Sequence, residues 1–365
     1  MKRTGKAAIV ERLDGTFRVA TVEFDAPRGR EVLVEVRAAG LCHSDLNVAS
    51  VDRGRPLPLI AGHELSGVVV AVGEHVTSLA IGDHVVGTEI RACGSCTNCR
   101  VGQPALCAAP NSLERDADAP PRVTHDGARV HTLGVSAFAS YSLADERQFV
   151  RIPDDLPFDL ASLLGCGVTT GVGAVLNVAR VSPGERVAVF GLGGVGLNIV
   201  AGAALAGARQ IVAVDVDERK LRLAAEFGAT DLVVSGADMS EELARAVPRG
   251  VDHAFDAVGI PAVTLGAIRS TAPGGTTYLI GIPRPGNLLS LDTMADMIGK
   301  QRAIRGVYMG GSNPVRDIPY FADLVLTDRL QLHRLISDRV DIEDINRAYA
   351  EPSALGARAV LTDLR

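Results

Sequence analysis

The sequence predicts an α/β protein in which a mainly antiparallel β domain comes before a doubly wound parallel sheet. Short apolar runs separated by Gly, Pro and Asp turns fill the first 90 residues, a spacing typical of antiparallel sheets. From Val181 onward, strand and helix patterns alternate, as in a parallel sheet covered on both faces. A chain of 365 residues is also long for one hydrophobic core, so two domains are expected.

The first domain is predicted from four apolar runs, AAIV, EVLVEVRAAG, LSGVVVAVG and HVVGT. Two compact polar segments lie among them, and each is expected on a loop after a strand: Cys42-His43-Ser44-Asp45, and His63-Glu64. A Cys and a His on separate loops can converge on one metal ion. Taken singly, however, a lone Cys is usually a small core residue, and a lone His an ordinary surface or core group.

The most specific pattern is a cluster of four cysteines, Cys93, Cys96, Cys99 and Cys107. Four thiolates at this spacing can enclose a tetrahedral Zn²⁺ with no open position, which predicts a structural metal site. The short spacing leaves little room for unstrained disulfides. A nucleic-acid-binding zinc module is disfavoured because the chain is acidic and only Arg91 and Arg100 lie near the cluster.

The middle of the chain has weaker signals. Residues 108 to 135 are rich in Pro, Asp, Ala and Arg, which predicts a long surface loop or lid. Strands are expected again between Ala137 and Val150, and a helix between Asp159 and Ala179, with Cys166 near its start. After Gly306 the pattern predicts two helices, Ile318 to Thr327 and one around Ile342 to Tyr349, and a last strand, RAVLT.

The second domain is organised around the stretch from Val187 to Asp215, a strand, turn, helix and strand unit. Its turn carries glycines at 191, 193, 194 and 196, which let a pyrophosphate approach the backbone at the positive end of the helix. Asp215 follows at the distance where a carboxylate binds the adenosine ribose. The charge-free run between Arg186 and Arg209 is long enough for a membrane span, but its glycines and two-strand pattern argue against one.

Composition sets further expectations. With 43 acidic and 37 basic residues, the net charge of -6 offers no general attraction to nucleic acid or to an anionic membrane. The N-terminus meets acidic residues before any apolar stretch of signal-peptide length, so no export signal is expected. Six cysteines, four of them clustered, suit metal ligation better than disulfides, which predicts a reducing cytoplasm.

Once the cluster takes four cysteines, Cys42 and Cys166 remain, with His63 as the obvious third group. Two cysteines, a histidine and one open position form a ligand set for a catalytic zinc that acts as a Lewis acid on an alcohol or carbonyl oxygen. Together, GLCHSD, GHELSG, GDHVVG, the four-cysteine lobe, LLGCGVTTGVG, VAVFGLGGVGL and RAVLT resemble the zinc-containing medium-chain alcohol dehydrogenases nearly end to end. The length from Cys107 to Tyr141 is similar to the dimeric animal-type and glutathione-formaldehyde-type branch.

The resemblance implies an NAD-dependent oxidoreductase for a small alcohol or aldehyde, with two Zn²⁺ per subunit and a homodimer. It implies a GroES-like β domain at 1–167 with the zinc lobe at 93–107, a Rossmann domain at 168–307, and a return to the first domain at 308–365. The edge strand near Ile298 to Val307 is a plausible dimer contact. A carboxylate at position 215 repels a 2′-phosphate and so favours NAD over NADP.

Residue roles are implied in the same way. Catalytic zinc would be held by Cys42, His63 and Cys166, and structural zinc by Cys93, Cys96, Cys99 and Cys107. Asp45 and Glu64 would support the ligands, and Ser44 would bind the substrate oxygen. The coenzyme would contact His43, Thr170, Gly191, Gly193, Gly194, Val195, Gly196, Asp215, Lys220, Ile280, Ile282 and Arg358.

Two positions depart from the family pattern. Where many relatives have a proton-relay histidine, this chain has Asn47, which cannot titrate near neutral pH. Where ethanol-oxidising relatives have an aromatic wall, it has Glu89, followed by Arg91, and Arg53 is expected near the pocket mouth. These charges predict a polar or functionalised substrate, with exposure to solvent as the alternative.

Two other functions stay open at this point. One is a thiol-adduct formaldehyde dehydrogenase, in which an arginine of the lid region holds the adduct's carboxylate; Arg115 is the candidate. The other is a zinc-ribbon binding protein without redox activity, which predicts no second zinc at Cys42, His63 and Cys166.

Overall fold

The computed structural model describes residues 2–116, 118–236, 239–351 and 358–365. The strands are β1 Arg3–Val10, β2 Arg18–Phe24, β3 Glu31–Gly40, β4 Leu59–Ile60, β5 Glu64–Val72, β6 His84–Gly87, β7 Val123–His125, β8 Ala128–Thr132, β9 Tyr141–Asp145, β10 Phe149–Arg151, β11 Arg186–Phe190, β12 Gln210–Asp215, β13 Asp231–Val234, β14 Val251–Asp256, β15 Thr271–Leu279, β16 Ala303–Gly306, β17 Ile336–Asp341 and β18 Arg358–Asp363.

The α-helices are α1 His43–Ser50, α2 Thr97–Arg100, α3 Phe158–Ser162, α4 Gly167–Gly173, α5 Gly194–Leu205, α6 Glu218–Glu226, α7 Met239–Ala246, α8 Pro261–Ser270, α9 Pro314–Leu326 and α10 Ile345–Ala350. Two π-helical segments, Ala174–Ala179 and Thr293–Met297, extend the set. Single 3₁₀ turns lie at Pro104–Leu106, Pro110–Leu113, Glu146–Gln148, Leu163–Gly165, Ile298–Lys300, Met309–Gly311, Leu332–Arg334 and Ile342–Asp344.

The described residues form two compact units. The first contains residues up to Cys166 together with 313–351 and 358–365, and the second contains 167–312. The sequence predicted the boundaries after residues 167 and 307. Residues 308–312 lie in the second unit because the Ser312 hydroxyl donates to the Thr169 carbonyl and Met309 contacts Thr170 on α4.

The first unit is built from a closed barrel and a seven-stranded sheet. Strands β1, β2, β7, β8 and β4 form the barrel. The sheet runs in the order β10-β6-β5-β3-β18-β17, and β9 also pairs with β3. Most neighbours are antiparallel, which confirms the predicted β domain. Alternating apolar residues of β3 place Val32, Val34 and Val36 in one core and Leu33 in another.

The second unit contains one six-stranded parallel sheet in the order β13-β12-β11-β14-β15-β16. Its core strands are nearly continuous apolar runs, with Ala188, Phe190 and Val212 fully buried, as expected for a sheet covered on both faces. The α/β class and the strand and helix alternation predicted for this half of the chain are confirmed.

Two local predictions were wrong. The region from 108 to 135 is not one long loop, because β7 and β8 form a hairpin that pairs with β2 and β4 in the barrel. Its turn is Asp126-Gly127, with φ of 49° and 76°, the geometry that an Asp-Gly pair favours. The polar segment after Cys42 is also not a loop: it is helix α1, with Asp45 in its first turn.

Within the described ranges, no single helix is long and apolar enough to cross a bilayer. The glycine-rich helix α5 has 12 residues. Two short helices separated by a bend, Phe158–Gly165 and Gly167–Ala179, reach that length and apolar character only when they are taken together.

Candidate metal and coenzyme sites

Three predicted ligands from distant parts of the chain converge in the first unit. Strand β3 ends at Gly40 and β5 begins at Glu64, and these two residues are paired in the antiparallel register. Cys42 and His63, just beyond those ends, are therefore neighbours. Cys166 joins them, with its Sγ atom 3.2 Å from His63 Nε2.

This ligand set fits a zinc ion. The donor atoms of Cys42, His63, Glu64 and Cys166 all lie within 4.8 Å of one another. Zn–S and Zn–N bond lengths of about 2.3 and 2.0 Å imply a tetrahedral N···S edge of roughly 3.5 Å, near the observed 3.2 Å. A hydrogen bond from Cys166 lowers the pKa of Cys42, which favours the thiolate that a metal requires.

The orientation of His63 is fixed by Asp45. The Nδ1–H of His63 donates to Asp45 Oδ1 over 2.9 Å, and the backbone N–H of Gly62 donates to the same oxygen over 3.0 Å. The carboxylate can only accept, so Nδ1 carries the proton and Nε2 keeps its lone pair for a metal. Burial alone would lower the pKa of His63, but the charge of Asp45 outweighs it and raises the pKa, so a proton and a metal ion compete for Nε2.

Glu64 and Arg358 form a buried ion pair beside the ligands. Arg358 Nη2 lies 3.2 Å from Glu64 Oε1, and Arg358 Nη1 donates to the Leu41 carbonyl over 3.1 Å. Burial raises the pKa of Glu64 to about 7. A side chain at Gly40 would collide with the Glu64 carboxyl group, so this position needs glycine. Arg358 therefore lies beside the metal ligands. Its predicted contact with the coenzyme stays a prediction.

The Ser44 hydroxyl lies at the same centre. Ser44 Oγ donates to Cys42 Sγ over 3.0 Å and lies 3.4 Å from His63 Nε2. Ser44 is the second residue of α1 and follows the ligand Cys42 by two positions, which is less than one helical turn. A hydroxyl in this place can both accept and donate a proton at the metal-binding atoms.

The four-cysteine cluster forms a second potential metal centre. The Sγ atoms of Cys93, Cys96, Cys99 and Cys107 all lie within 4.8 Å of one another, and Cys93 and Cys99 are 4.0 Å apart. Tetrahedral Zn–S bonds imply an S···S edge of roughly 3.8 Å, so the cluster fits zinc. Hydrogen bonds from the backbone N–H groups of Ser95 and Cys96 lower the pKa of Cys93 to about 5.

The glycine-rich turn of the second unit is shaped for a phosphate. Gly191 has a φ of 87°, which favours glycine, and a side chain at Gly196 would collide with the Gly191 carbonyl. Gly193 caps α5, and a Cβ atom there would have no atom within 4 Å. The N-terminus of α5 is therefore open to an anion.

Asp215 ends β12 beside this turn. Its Oδ2 accepts from Leu192 N over 2.7 Å and its Oδ1 from Asp217 N over 3.0 Å. The carboxylate thus holds the glycine turn in place, and its contact with a coenzyme ribose stays a prediction. The Asp215 carboxylate needs no neighbouring cation, because a backbone amide donates to each of its two oxygens.

The other predicted coenzyme residues occupy varied environments. Thr170 is buried, and its hydroxyl donates to the thioether sulfur Sδ of Met309 over 3.7 Å. Val195 and Lys220 are half-buried near the starts of α5 and α6. Ile280 follows β15 with its amide bonded to Asp256, Ile282 is exposed, and His43 in the first unit is exposed.

The three charged residues that were predicted near the substrate lie in different environments. Glu89 is close enough to His63 and Asp45 for their charges to act on it, while burial raises the pKa of Glu89. Arg91 lies 3.6 Å from Glu114 instead, and Arg53 is exposed to solvent. Arg55, which the sequence interpretation did not single out, is among the charges that act on Glu89.

Arg115 is occupied by the protein. Its guanidinium donates to Glu31, Asp25, the Ala26 carbonyl and the Pro120 carbonyl, and the contact to Glu31 Oε2 is 2.6 Å long. All three guanidinium nitrogens are therefore engaged. No pair of guanidinium N–H groups is therefore left to bind the carboxylate of a substrate.

Tyr349 is a residue that the sequence interpretation missed. Its hydroxyl donates to the Cys42 carbonyl over 3.0 Å, and its ring stacks on Phe17. It lies more than 300 residues after Cys42, in a helix with no local motif, so no spacing signal marked it.

Comparison with known proteins agrees with this geometry. Residues 28–154 match the family model described as alcohol dehydrogenase GroES-like domain, and residues 194–326 match that described as zinc-binding dehydrogenase. The geraniol dehydrogenase of Castellaniella defragrans is 35% identical over 94% of both chains. An S-(hydroxymethyl)glutathione dehydrogenase of Synechocystis is 34% identical over 94% of this chain and 95% of its own.

The fold is also shared with solved structures. Benzyl alcohol dehydrogenase from Acinetobacter calcoaceticus superposes with a TM-score of 0.92 at 30% identity and 99% coverage of both chains. The GroES-like and Rossmann assignments are confirmed by these matches. The chain belongs to the zinc-containing medium-chain alcohol dehydrogenase family and is a zinc-dependent oxidoreductase that uses NAD in alcohol and aldehyde redox chemistry.

Proposed function

We propose that this protein oxidises a polar or functionalised alcohol to the aldehyde with NAD⁺, or catalyses the reverse reduction. The observation that carries the proposal is the convergence of Cys42, His63 and Cys166, with Asp45 bonded to the far side of the imidazole. Glu64, the fourth residue of the cluster, is held in an ion pair with Arg358, which leaves three protein ligands and one open position, the pattern of a catalytic rather than a structural zinc.

Cys42, His63 and Cys166 would hold a zinc ion that supplies Lewis acidity toward an alcohol or carbonyl oxygen, and bound NAD⁺ would supply a hydride acceptor. The glycine turn at 191–196 and Asp215 would hold the coenzyme. The four cysteines at 93–107 would hold a second, structural zinc, giving two metal ions per chain.

The protein's own residues handle the proton. Ser44 Oγ, 3.0 Å from Cys42 Sγ, accepts the proton of the substrate hydroxyl in oxidation and returns it in reduction. Asp45 keeps His63 in the tautomer that leaves Nε2 free. Asn47 cannot carry the proton onward, so it leaves by another route, through water or the exposed imidazole of His43.

The ion pair of Glu64 and Arg358 places one negative and one positive charge beside the metal ligands. Burial alone would lower the pKa of Arg358, but the negative charges of Glu64 and Cys42 outweigh it and raise the pKa, so the guanidinium stays charged. Because Arg358 also donates to the Leu41 carbonyl, it holds the backbone just before Cys42. These contacts support a positioning role for the pair.

A thiol-adduct formaldehyde dehydrogenase is the second candidate, and the Synechocystis relative supports it. Its predicted carboxylate anchor, Arg115, argues against it because the guanidinium is engaged with Glu31 and Asp25. The polar-alcohol reaction is therefore preferred. A zinc-ribbon protein without redox activity is disfavoured by the second ligand set.

We propose a homodimer formed through β16, the last strand of the parallel sheet. Its outer edge has no partner strand among the described residues, and in the segment that precedes it in the sequence Leu288, Met294 and Ile298 are 85%, 64% and 62% exposed. The six unpaired cysteines support the predicted reducing cytoplasm as its location. Light scattering of the purified protein tests the dimer.

The substrate proposal is tested by measuring NADH formation across ethanol, polar alcohols, and formaldehyde with a cytosolic thiol. We expect a polar alcohol to give a higher kcat/KM than ethanol and the thiol to have no effect. If ethanol is oxidised as efficiently as every polar alcohol, the polar-substrate proposal is wrong. A strict requirement for the thiol would establish the second candidate instead.

A further inference from the structure

Glu89 lies close enough to the ligand His63 to feel its charge, and the register of the neighbouring strands agrees with this. Strands β5 and β6 are antiparallel, and Leu65 is paired with Gly87. Continuing this register beyond the strand ends brings residue 89 opposite residue 63. The electrostatic influence of His63 and Asp45 on Glu89 agrees with this placement. Glu89 is therefore beside the metal-binding centre and outside its ligand set.

One oxygen of the Glu89 carboxyl group is buried without a partner. Oε2 is enclosed, yet no donor among the described residues bonds to it. The group packs against the backbone of Gly134, whose φ is 58°, and a Cβ atom there would lie 2.5 Å from Oε2. Glycine thus makes the space that the carboxyl group fills.

The neighbouring cations do not satisfy this oxygen. Arg91 and Arg55 act on Glu89 through their charge, but neither forms a hydrogen bond with it in the described part of the chain. Arg91 lies 3.6 Å from Glu114, and Arg55 is exposed. Arg122 Nη1 donates to the other oxygen of Glu114 over 2.7 Å.

A buried polar oxygen without a partner destabilises the folded protein. Glu89 as a residue is half-buried and lies beside the proposed metal centre, so a substrate bound there would be close enough to supply the missing donor. Sites that present such an acceptor select substrates with the matching donor and reject analogues that lack it, since the acceptor would stay unpaired.

We propose that Glu89 is a specificity-determining residue that accepts a hydrogen bond from a second donor group of the substrate. The substrate class is an alcohol that carries a further hydroxyl or ammonium group. This inference rests on the proposed function, since it concerns the same reaction and the same centre.

The test compares kcat/KM for three matched series: straight-chain mono-alcohols, the corresponding diols and the corresponding amino alcohols. In the zinc-loaded wild type, at least one donor-bearing series should exceed the mono-alcohols by about 10- to 100-fold, as expected for a hydrogen bond to a charged group. In Glu89→Leu this ratio should fall to about one. A preference for diols identifies a neutral donor, and a preference for amino alcohols a cationic one.

Glu89→Gln separates charge from hydrogen bonding. Glutamine keeps an acceptor oxygen, so a preference for diols should partly survive, whereas a preference for amino alcohols should be lost. The matched control is Glu241→Leu, an exposed glutamate at the start of α7, which should keep the wild-type ratio.

A second measurement excludes a structural role. Because Glu89→Leu removes an unpaired buried oxygen, its zinc content should equal that of the wild type and its melting temperature should not fall. A lower melting temperature with an unchanged substrate ratio would overturn the proposal. Failure to oxidise any alcohol with NAD⁺ would instead contradict the proposed function, so the two failures are distinguishable.

Discussion

The imidazole of His63 is held by the carboxylate of Asp45, whose Oδ1 accepts hydrogen bonds from His63 Nδ1 over 2.9 Å and from the Gly62 amide over 3.0 Å. Asp45 is 1% exposed, so its carboxylate is shielded from bulk water. The metal-binding face of His63 therefore depends on a residue that is not itself a ligand.

Asp45→Asn should weaken zinc binding at this centre by about 10- to 100-fold, because the amide lacks the charge that holds the imidazole. The measurement is zinc retained during titration with a chelator. Asp126→Asn, an exposed position in the β7–β8 turn that tolerates Asn, is the matched control. Equal retention in both variants would show that Asp45 does not support the ligand.

Asn47→His should change the pH dependence of alcohol oxidation. A histidine titrates between about pH 5 and 8 and can pass a proton outward, whereas Asn47 cannot. We expect a faster rate below about pH 7 in this variant. Asn47→Gln, which also does not titrate, should keep the wild-type profile. Superimposable profiles for all three proteins would mean that proton exit does not limit the reaction.

Asp215→Asn should relax coenzyme choice. Asparagine keeps an acceptor oxygen for the Leu192 amide, but it removes the charge that repels a 2′-phosphate. The ratio of kcat/KM for NADP to that for NAD should rise by about 10-fold, equivalent to about 1.4 kcal/mol. Asp231→Asn, at the start of β13 and bonded to Gln210, is the control. An unchanged ratio would exclude Asp215 from coenzyme discrimination.

Arg115→Met should destabilise the first unit without a specific effect on thiol adducts. Burial raises the pKa of Glu31, but hydrogen bonds from Arg115 and Arg122 outweigh it, so the folded pKa lies below the unfolded value. Ionised Glu31 therefore stabilises the protein above pH about 4.3, and this stability is lost as pH falls through the folded pKa.

We expect Arg115→Met to lower the free energy of unfolding at neutral pH by about 3 kcal/mol and to unfold at a higher pH in an acid titration. Arg12→Met, whose side chain is 82% exposed, should change stability by less than about 0.5 kcal/mol. If Arg115→Met keeps full stability and loses only activity toward S-hydroxymethyl thiols, Arg115 binds substrate and the second candidate function is correct.

Most of the metal and coenzyme chemistry could be predicted from the sequence, because that chemistry depends on residue type. Cys93, Cys96 and Cys99 lie within one short segment, so their convergence is local. Gly191 and Gly196 are needed by backbone geometry alone. Long-range partners had no such signal: Tyr349 reaches the Cys42 carbonyl only through tertiary packing.

The hairpin of β7 and β8 did have a sequence signal, but the composition of the surrounding segment concealed it. The Asp126-Gly127 pair, flanked by Val123 and Val130, is a hairpin pattern inside a segment whose Pro and Asp content favoured a loop. Arg115 could not be separated by sequence into a substrate anchor or a structural cation, because its partner Glu31 is 84 residues away.

The central claim is that Cys42, His63 and Cys166 hold a catalytic zinc distinct from the zinc of the four-cysteine lobe. Its most direct test is the zinc content of wild type and Cys166→Ser, measured together with NADH formation from a polar alcohol. We predict two zinc ions per chain and turnover in the wild type, and one zinc ion without turnover in the variant. One zinc ion in the wild type, or full activity in Cys166→Ser, would contradict the account.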